Sequence, residues 1–296
     1  MDLAYLRAHP GQLPLFLTHQ RIRETPVAGG DICTASRLTL DDGNSIFAKS
    51  WPEGAAQGVP ENFFSTEAAG LRWLRETEAV PVHELIVALP GLLALEWVEP
   101  GEPTPAAARR FGAGLAALHR AGAPTFGAGW PGFIGALPQD NTPTGGAWAP
   151  WFAEHRLVPY LRRSVDNNAL SATEVTLVER LVSRIDGYGA AEPPARIHGD
   201  LWPGNLLWGA DGRVWLVDPA AHGGHRETDL AQLALFGGAP HLELILDAYQ
   251  EVWPLADGWR ERIPVHQLHL LLVHTALFGG TYRDAVGTTA RAALSV

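Results

Sequence analysis

Three short polar side chains stand close together in one stretch of the chain, RIHGDLWPGNLLWGADGRVWLVDPA, residues 196–220. Asp200 follows His-Gly, Asn205 comes five residues later, and Asp218 ends the apolar run Val214-Trp215-Leu216-Val217. The segment LLW-GADG-RVWLV reads as two strands around an Asp211-Gly212 turn. A two-residue turn there sets Asn205 directly opposite Asp218, with Cα atoms about 4.5–5.5 Å apart. Two oxygen-bearing side chains at the open end of a hairpin can share a hard cation such as Mg2+. Asp200 lies just before, in a loop that Pro203 and Gly204 keep from becoming helix. Singly, each of the three reads as a turn cap, a turn amide or a strand-end acid. The set, at this spacing, points to chemistry.

Lys49 sharpens that reading. It is the only lysine among 22 basic residues, the rest being arginine. A compact ammonium presents a point charge to a phosphate in a way a guanidinium does not; codon bias with one chance survivor is the bland alternative. Lys49 ends the β-rich run SIFAKSW. The next helical stretch, ENFFSTEAAGLRWLRET, carries Phe64, Leu71 and Leu74 on one apolar stripe. Glu67 shares that face, where a carboxylate is costly unless a cation meets it.

These residues need elements to hold them. The runs 20–30, 31–40 and 45–51, separated by Gly-Gly and Asp-Asp-Gly, predict antiparallel strands joined by hairpins, and PVHELIVAL and GLLALEWV add two more. EPGEPTP, residues 99–105, is a linker, and helical patterns follow at 105–121, 148–164, 171–187, 228–236, 241–252 and 262–279. Residues 122–147 form a long Gly/Pro/Asn-rich loop of the kind that is usually functional or disordered. The expected fold is α+β. A five-stranded antiparallel sheet with one helix makes up residues 1–98, and a mainly helical unit with an embedded hairpin makes up 99–296.

The 296 residues carry a net charge of −10, which argues against a nucleic-acid or anionic-membrane partner. The single cysteine, Cys33, excludes an internal disulfide or a Cys-rich zinc site. Its neighbours, apolar Ile32 and no base before Arg37, predict an inert thiol. Early charges and prolines do not suit a signal peptide, and HQLHLLLVHTALFGG is too short and too broken by histidines to span a bilayer. A soluble cytoplasmic protein is expected, with its oligomeric state left open.

Asp-x4-Asn followed by an apolar strand ending in Asp resembles the catalytic and metal-binding elements of the bilobal protein-kinase-like fold. Lys49 in IFAKS looks like that fold's strand lysine and Glu67 like its helix partner. His-Gly-Asp resembles the branch that phosphorylates small molecules, aminoglycoside and choline kinases among them. HGDLWPGN, DPA, GHRETDLA, FIGALPQDNTP, WFAEHRLVP and FGG at 236–238 and 278–280 resemble the fructosamine/ketosamine kinase family, from about Gly29 to Gly280. The chain departs from the kinase pattern in its phosphate-covering loop, which keeps only the pair Gly29-Gly30.

The resemblance implies phosphoryl transfer from ATP to a sugar hydroxyl of a ketosamine, a sugar rearranged onto an amine, in a deglycation repair. It implies that Asp200 orients or accepts the hydroxyl proton and that Asn205 and Asp218 hold Mg2+ across the β/γ-phosphates. Lys49, fixed by Glu67, would bind the α/β-phosphates, and the backbone at Glu96, Trp97 and Val98 would meet adenine. His198 braces the loop rather than acting as a base. Asp229 is either a first-turn helix acid or a partner of the loop backbone. Trp202 is a core aromatic or the wall a sugar packs on, and the resemblance favours the wall. PAAHGGHRETDL leaves no room for a peptide-docking segment, so the acceptor is small or a protruding adduct. The alternatives are a kinase of another small acceptor, such as an aminoglycoside or choline, and a nucleotide-binding pseudokinase scaffold.

Overall fold

The computed structural model describes residues 2–18, 22–28, 32–52, 60–188 and 191–295. Two short helices, α1 (Leu3–Ala8) and α2 (Leu13–Thr18), precede the strands β1 (Arg23–Pro26), β2 (Thr34–Thr39) and β3 (Ser45–Ser50). Helix α3 (Phe63–Arg75) follows, then β4 (Leu85–Leu89) and β5 (Leu92–Glu96). The five strands form one antiparallel sheet in the order β1-β2-β3-β5-β4, as the alternating runs predict.

The period of two along each strand sorts side chains between the sheet's faces. Ile46 and Ala48 of β3 and Leu92 and Ala94 of β5 join Leu6 and Leu13 in one core on the outer face. Phe47, Leu93 and Leu95 face the other way, against Phe64, Ala68 and Leu71 of α3. Lys49 falls in the second set by the same alternation, on the side of α3.

The second part opens with α4 (Pro105–Arg120), capped by Thr104, whose hydroxyl accepts the Ala107 N–H. A hairpin of β6 (Gly132–Ile134) and β7 (Leu137–Gln139) lies inside the expected loop 122–147. Helix α5 (Trp148–Phe152) runs through a single π-turn, Ala153–Leu157, into α6 (Val158–Asp166). Then come α7 (Ala172–Val182), β8 (Ala195–Ile197), β9 (Leu206–Trp208), β10 (Val214–Leu216) and β11 (His222–Gly224). Four helices end the chain: α8 (Arg226–Gln232), α9 (Leu242–Val252), α10 (Trp259–Phe278) and α11 (Arg283–Leu294). The helical patterns of the sequence have no counterpart of α11, whose buried side is only Val286, Gly287, Ala290 and Ala293, too small to register as an apolar stripe. No helix among the described residues is long and apolar enough to cross a membrane.

Main-chain bonds stitch the β9–β10 hairpin to the sheet side. Leu216 N–H donates to Pro81 O (3.0 Å), Gly101 N–H to Trp208 O (2.7 Å) and Ala210 N–H to Glu99 O (2.8 Å). The hairpin is thus fixed to the segments on either side of the β4–β5 pair. Its support from behind comes from α4, which crosses α9 at very short range. A Cβ at Gly112 would lie 2.1 Å from Ile245 O and 3.1 Å from the Ala248 methyl. That approach lets α4 and α9 supply neighbouring groups to α8. Gly112→Ala should therefore force two backbones apart and cost about 1–3 kcal/mol. Denaturant unfolding measures this, and an unchanged midpoint would show that the two helices can separate freely.

Candidate active site

The loop between β8 and β9 is clamped from outside through its backbone. Asp229 of α8 is fully buried and accepts two of its amides, His198 N–H at 2.8 Å and Gly199 N–H at 2.9 Å. Gln232, one turn along α8, accepts Leu201 N–H (2.7 Å) and returns its own amide to Gly199 O (3.2 Å). Behind Asp229, His119 of α4 bonds the same carboxylate (3.1 Å) and the Tyr249 hydroxyl of α9 (2.9 Å). Gly199 must be glycine: its φ is +82°, and a Cβ would meet Ala220 O at 2.4 Å.

His198 sits inside this frame. Its Nδ1 accepts Asp200 N–H (3.3 Å), so Nε2 carries the proton donated to Val217 O (2.8 Å). Burial pushes its pKa down, which suits the neutral ring those two bonds require. The imidazole joins the Asp200 loop to the segment bearing Asp218.

Asn205 turns its amide nitrogen to Asp200, at 2.8 Å from the carbonyl and 3.1 Å from Oδ2. The hairpin register differs by one residue from the expected one. Gly209 N–H bonds Arg213 O (2.9 Å) and Gly212 has φ +72°, so the loop is Ala210–Gly212 rather than Asp-Gly alone. Leu206 faces Leu216, Asn205 O takes Val217 N–H (3.2 Å), and Asp218 lies one step beyond. Asp218 then adopts φ +54°, a left-handed conformation that is costly for a residue with a Cβ.

That turn brings Asp218 to Lys49. Its Oδ1 is 2.6 Å from Lys49 Nζ, which also reaches Glu67 Oε1 at 2.9 Å and Oε2 at 3.1 Å. Burial alone would lower the lysine's pKa, but the two carboxylates outweigh it and hold the ammonium protonated. Glu67 is pushed up, first by burial and then by the charge of Asp218, with Lys49 opposing. Asp200 is raised to about 7, by burial first and by Asp218 second, against the donated hydrogen bond of Asn205. Its Oδ1 is buried with no hydrogen-bond partner among the described residues. A carboxylate with that pKa can exchange a proton near neutrality.

Lys49, Glu67, Asp200, Trp202, Asn205 and Asp218 all line one cavity of about 730 Å³. On the sheet side its walls are apolar, from Val27, Ala35, Phe47 and Leu95, with Trp97 and Val98 at the edge. Glu96 lies outside the lining: its N–H bonds Glu84 O (2.9 Å), its carbonyl accepts from His83 (3.0 Å), and its carboxylate accepts Glu84 N–H (2.7 Å). Gly29 and Gly30 fall outside the described residues. Cys33 lines the cavity, and burial pushes its thiol up to about 11, which keeps it protonated and unreactive. At the far end Trp202 meets Phe236 edge-on, with ring centroids 5.7 Å apart. Trp202 therefore is half-buried in the cavity wall rather than sunk in the core.

Sequence reasoning missed His119 and Gln232, and it missed Arg156. The Arg156 guanidinium is fully buried, bonds Asp140 O (2.6 Å) and Asn141 Oδ1 (2.7 Å), and stacks on Trp151. Burial lowers it to about 10, and the residue spacing around it carries no signal of that role. It anchors β7, whose Gln139 amide reaches Ala220 O (3.2 Å) just past Asp218. A second group of metal-capable side chains, His225, Glu227 and His266, is buried elsewhere. Its carboxylate is already taken by a two-bond pair with Arg262, at 2.6 and 2.8 Å.

Residues 16–295 match the profile of the fructosamine kinase family. The chain is 34% identical over 268 residues to the "probable ketoamine kinase" of Enterococcus faecium, covering 88% of this chain and 91% of that one. A crystal structure of a fructosamine-3-kinase-like protein from Thermobifida fusca superposes with a TM-score of 0.87 at 49% identity, over 93% of this chain and 94% of its own. An ADP-bound aminoglycoside phosphotransferase, 10% identical, superposes with a TM-score of 0.61 over 96% of this chain and 97% of its own, and shares the protein-kinase-like fold alone.

The raised pKa of Asp200 makes a prediction about stability. The protonated form is favoured in the folded state, so Asp200 supports folding in acid, and that support fades as pH rises from about 4, its unfolded value, to about 7. Asp200→Asn lacks this dependence. The variant should be the more stable protein, by a margin that widens between those pH values and levels off above them at on the order of 2–4 kcal/mol. Unfolding curves of both proteins from pH 4 to 9 test it, and a margin independent of pH would assign Asp200 an ordinary pKa.

Proposed function

The chain belongs to the fructosamine kinase family, and on that premise we propose that it is an ATP-dependent kinase of ketosamines that phosphorylates a sugar hydroxyl. The observation that carries this reading is the pairing of one held ammonium, Lys49 between Glu67 and Asp218, with a carboxylate near pH 7, Asp200, on the wall of one cavity. Phosphoryl transfer asks for positioning and charge neutralisation more than for covalent chemistry. A fixed cation and a nearby proton acceptor are the protein's share of that.

In this reading adenine enters the apolar slot beneath Phe47 and Leu95, where Trp97 and Val98 border the cavity. The ammonium of Lys49 takes the α/β-phosphates. Asp200 accepts the acceptor hydroxyl's proton as its oxygen bonds the γ-phosphorus and ADP leaves. His198, Asp229 and Gln232 hold the loop so that Asp200 does not need to be ordered during the reaction. Trp202 offers a flat face to the sugar.

The donor set suits a divalent metal. Asn205 spends its nitrogen on Asp200, which leaves Oδ1 for a cation, and the Asp218 side chain is 43% exposed with one oxygen on Lys49. These are hard oxygen donors of the kind Mg2+ takes. Mg2+ held there would neutralise charge on the β- and γ-phosphates.

The acceptor is small or protrudes from its carrier, because only Pro219–His225 separate Asp218 from α8, and β11 occupies part of that stretch. A ketosamine fits, its phosphorylation at the third sugar carbon destabilising the adduct and freeing the amine. The test is turnover of ATP and Mg2+ with ribulosamine and fructosamine, followed as ADP release and by phosphorus NMR of the sugar product. Asp200→Asn should lower kcat by about 10²–10⁴-fold. In wild type kcat/KM should fall as the pH drops below about 7, and added Mg2+ should move that limb to lower pH by neutralising Asp218. A wild-type protein inert towards a panel of such sugars would remove the reading.

A further inference from the structure

The chain contains Phe-Gly-Gly twice, at 236–238 and 278–280, and nothing in the phosphoryl-transfer machinery accounts for either. Both phenylalanines line the active cavity, and each is 41% exposed. Phe236 follows α8, four residues after the Gln232 that clamps the Asp200 loop, and it holds φ +52°. Gly237 at +98° and Gly238 at +81° complete a left-handed run. A bulky side chain in that conformation is strained, and the strain holds a ring that stays partly exposed on the cavity wall. Phe278 is the last residue of α10, and Gly279, at φ +75°, ends the helix just after it.

The two turns meet across His274, whose ring centroid lies 4.7 Å from that of Phe236 and 5.6 Å from that of Phe278, and across Tyr282. Ring centroids lie 5.9 Å apart for Phe236–Tyr282 and 6.3 Å for Phe278–Tyr282, and Phe236 touches Trp202 two residues from Asp200. The rings form an aromatic collar in the wall of the same cavity. Aromatic faces attract an ammonium and an alkyl chain, and they repel an anion. The charged residues that line the cavity do not change that preference. Asp200 and Asp218 are acidic, and Lys49 is already shared by Glu67 and Asp218. Arg283, next in sequence to Tyr282, lies outside the lining and donates to Ala169 O and Asn168 O.

We propose that the two Phe-Gly-Gly turns bind the amine substituent of the acceptor, selecting an alkyl arm on a cationic amine over an amine with a carboxylate beside it. The proposal rests on the ketosamine reading and adds the class of amine to it. A simple acceptor series tests it: one ketose joined to methylamine, to n-butylamine and to glycine. Wild type should use the butylamine adduct best and the glycine adduct worst, with kcat/KM differing by about tenfold or more. Phe278→Ala and Phe236→Gly, the latter suited to the left-handed backbone, should each reduce the butylamine-to-methylamine ratio of kcat/KM several-fold, chiefly through KM. Phe278→Leu, which keeps apolar area and loses the π-face, should lie between. Thermal melts establish that the variants are folded.

If wild type turns over the series but both truncated variants keep its ranking of arms, the collar has no part in recognition. An equal loss of activity on every adduct, as a merely structural role would produce, also overturns the proposal. A wild type inactive on all three adducts overturns the ketosamine reading and this proposal with it.

Discussion

The site depends on one buried ammonium. Lys49 takes a carboxylate from α3 and another from the segment after β10, so it joins three elements far apart in sequence. Removing such a group from water costs several kcal/mol, and its partners must return that through charge and hydrogen bonds. Two carboxylates do so with a negative charge to spare, and Asp200 nearby adds another. The cavity therefore has three carboxylates for one ammonium. The excess explains why Asp218 helps to raise the pKa of Asp200, and it is what the proposed binding of a divalent cation with its phosphates would relieve.

Rigidity behind the site follows from the same constraint. A loop that must keep a carboxylate near others of like charge needs more than its own side chains, His198 and Asn205, to hold it. The loop is also bonded through its backbone to Asp229 and Gln232 of one helix, and Asp229 is held in turn by His119. The left-handed Asp218 is a cost of the same kind. Its conformation persists because Lys49 on one side and the His198–Val217 bond on the other fix the chain around it.

Much of this is legible in the sequence because it is local or periodic. The alternation in SIFAKS puts Lys49 on the face of α3, and the stripe Phe64, Leu71, Leu74 puts Glu67 on the face towards the sheet. The hairpin is legible to within one residue; the turn chemistry of Gly-Ala-Asp-Gly allows a two- or a three-residue loop, and the latter forms. Strands as short as β6 and β7, one of them carrying Pro138, leave no alternation to read. His119 and Arg156 are out of reach for a different reason. Their partners lie 110 residues away in one case and are main-chain carbonyls and an amide in the other, and no spacing encodes such contacts.

The use of lysine at one place only follows from the rest of the structure. Elsewhere this chain pairs arginine with one carboxylate through two parallel bonds, as in Arg226–Glu192 and Arg262–Glu227. A planar guanidinium lays two parallel donors on one planar acid, and the donors left over in these two pairs reach main-chain carbonyls. At the end of β3 the cation has to meet Glu67 from one direction and Asp218 from another while still facing the cavity. An ammonium with three rotatable donors can serve two acids and a phosphate oxygen together. Two acids approaching from different directions, rather than charge alone, favour a lysine here.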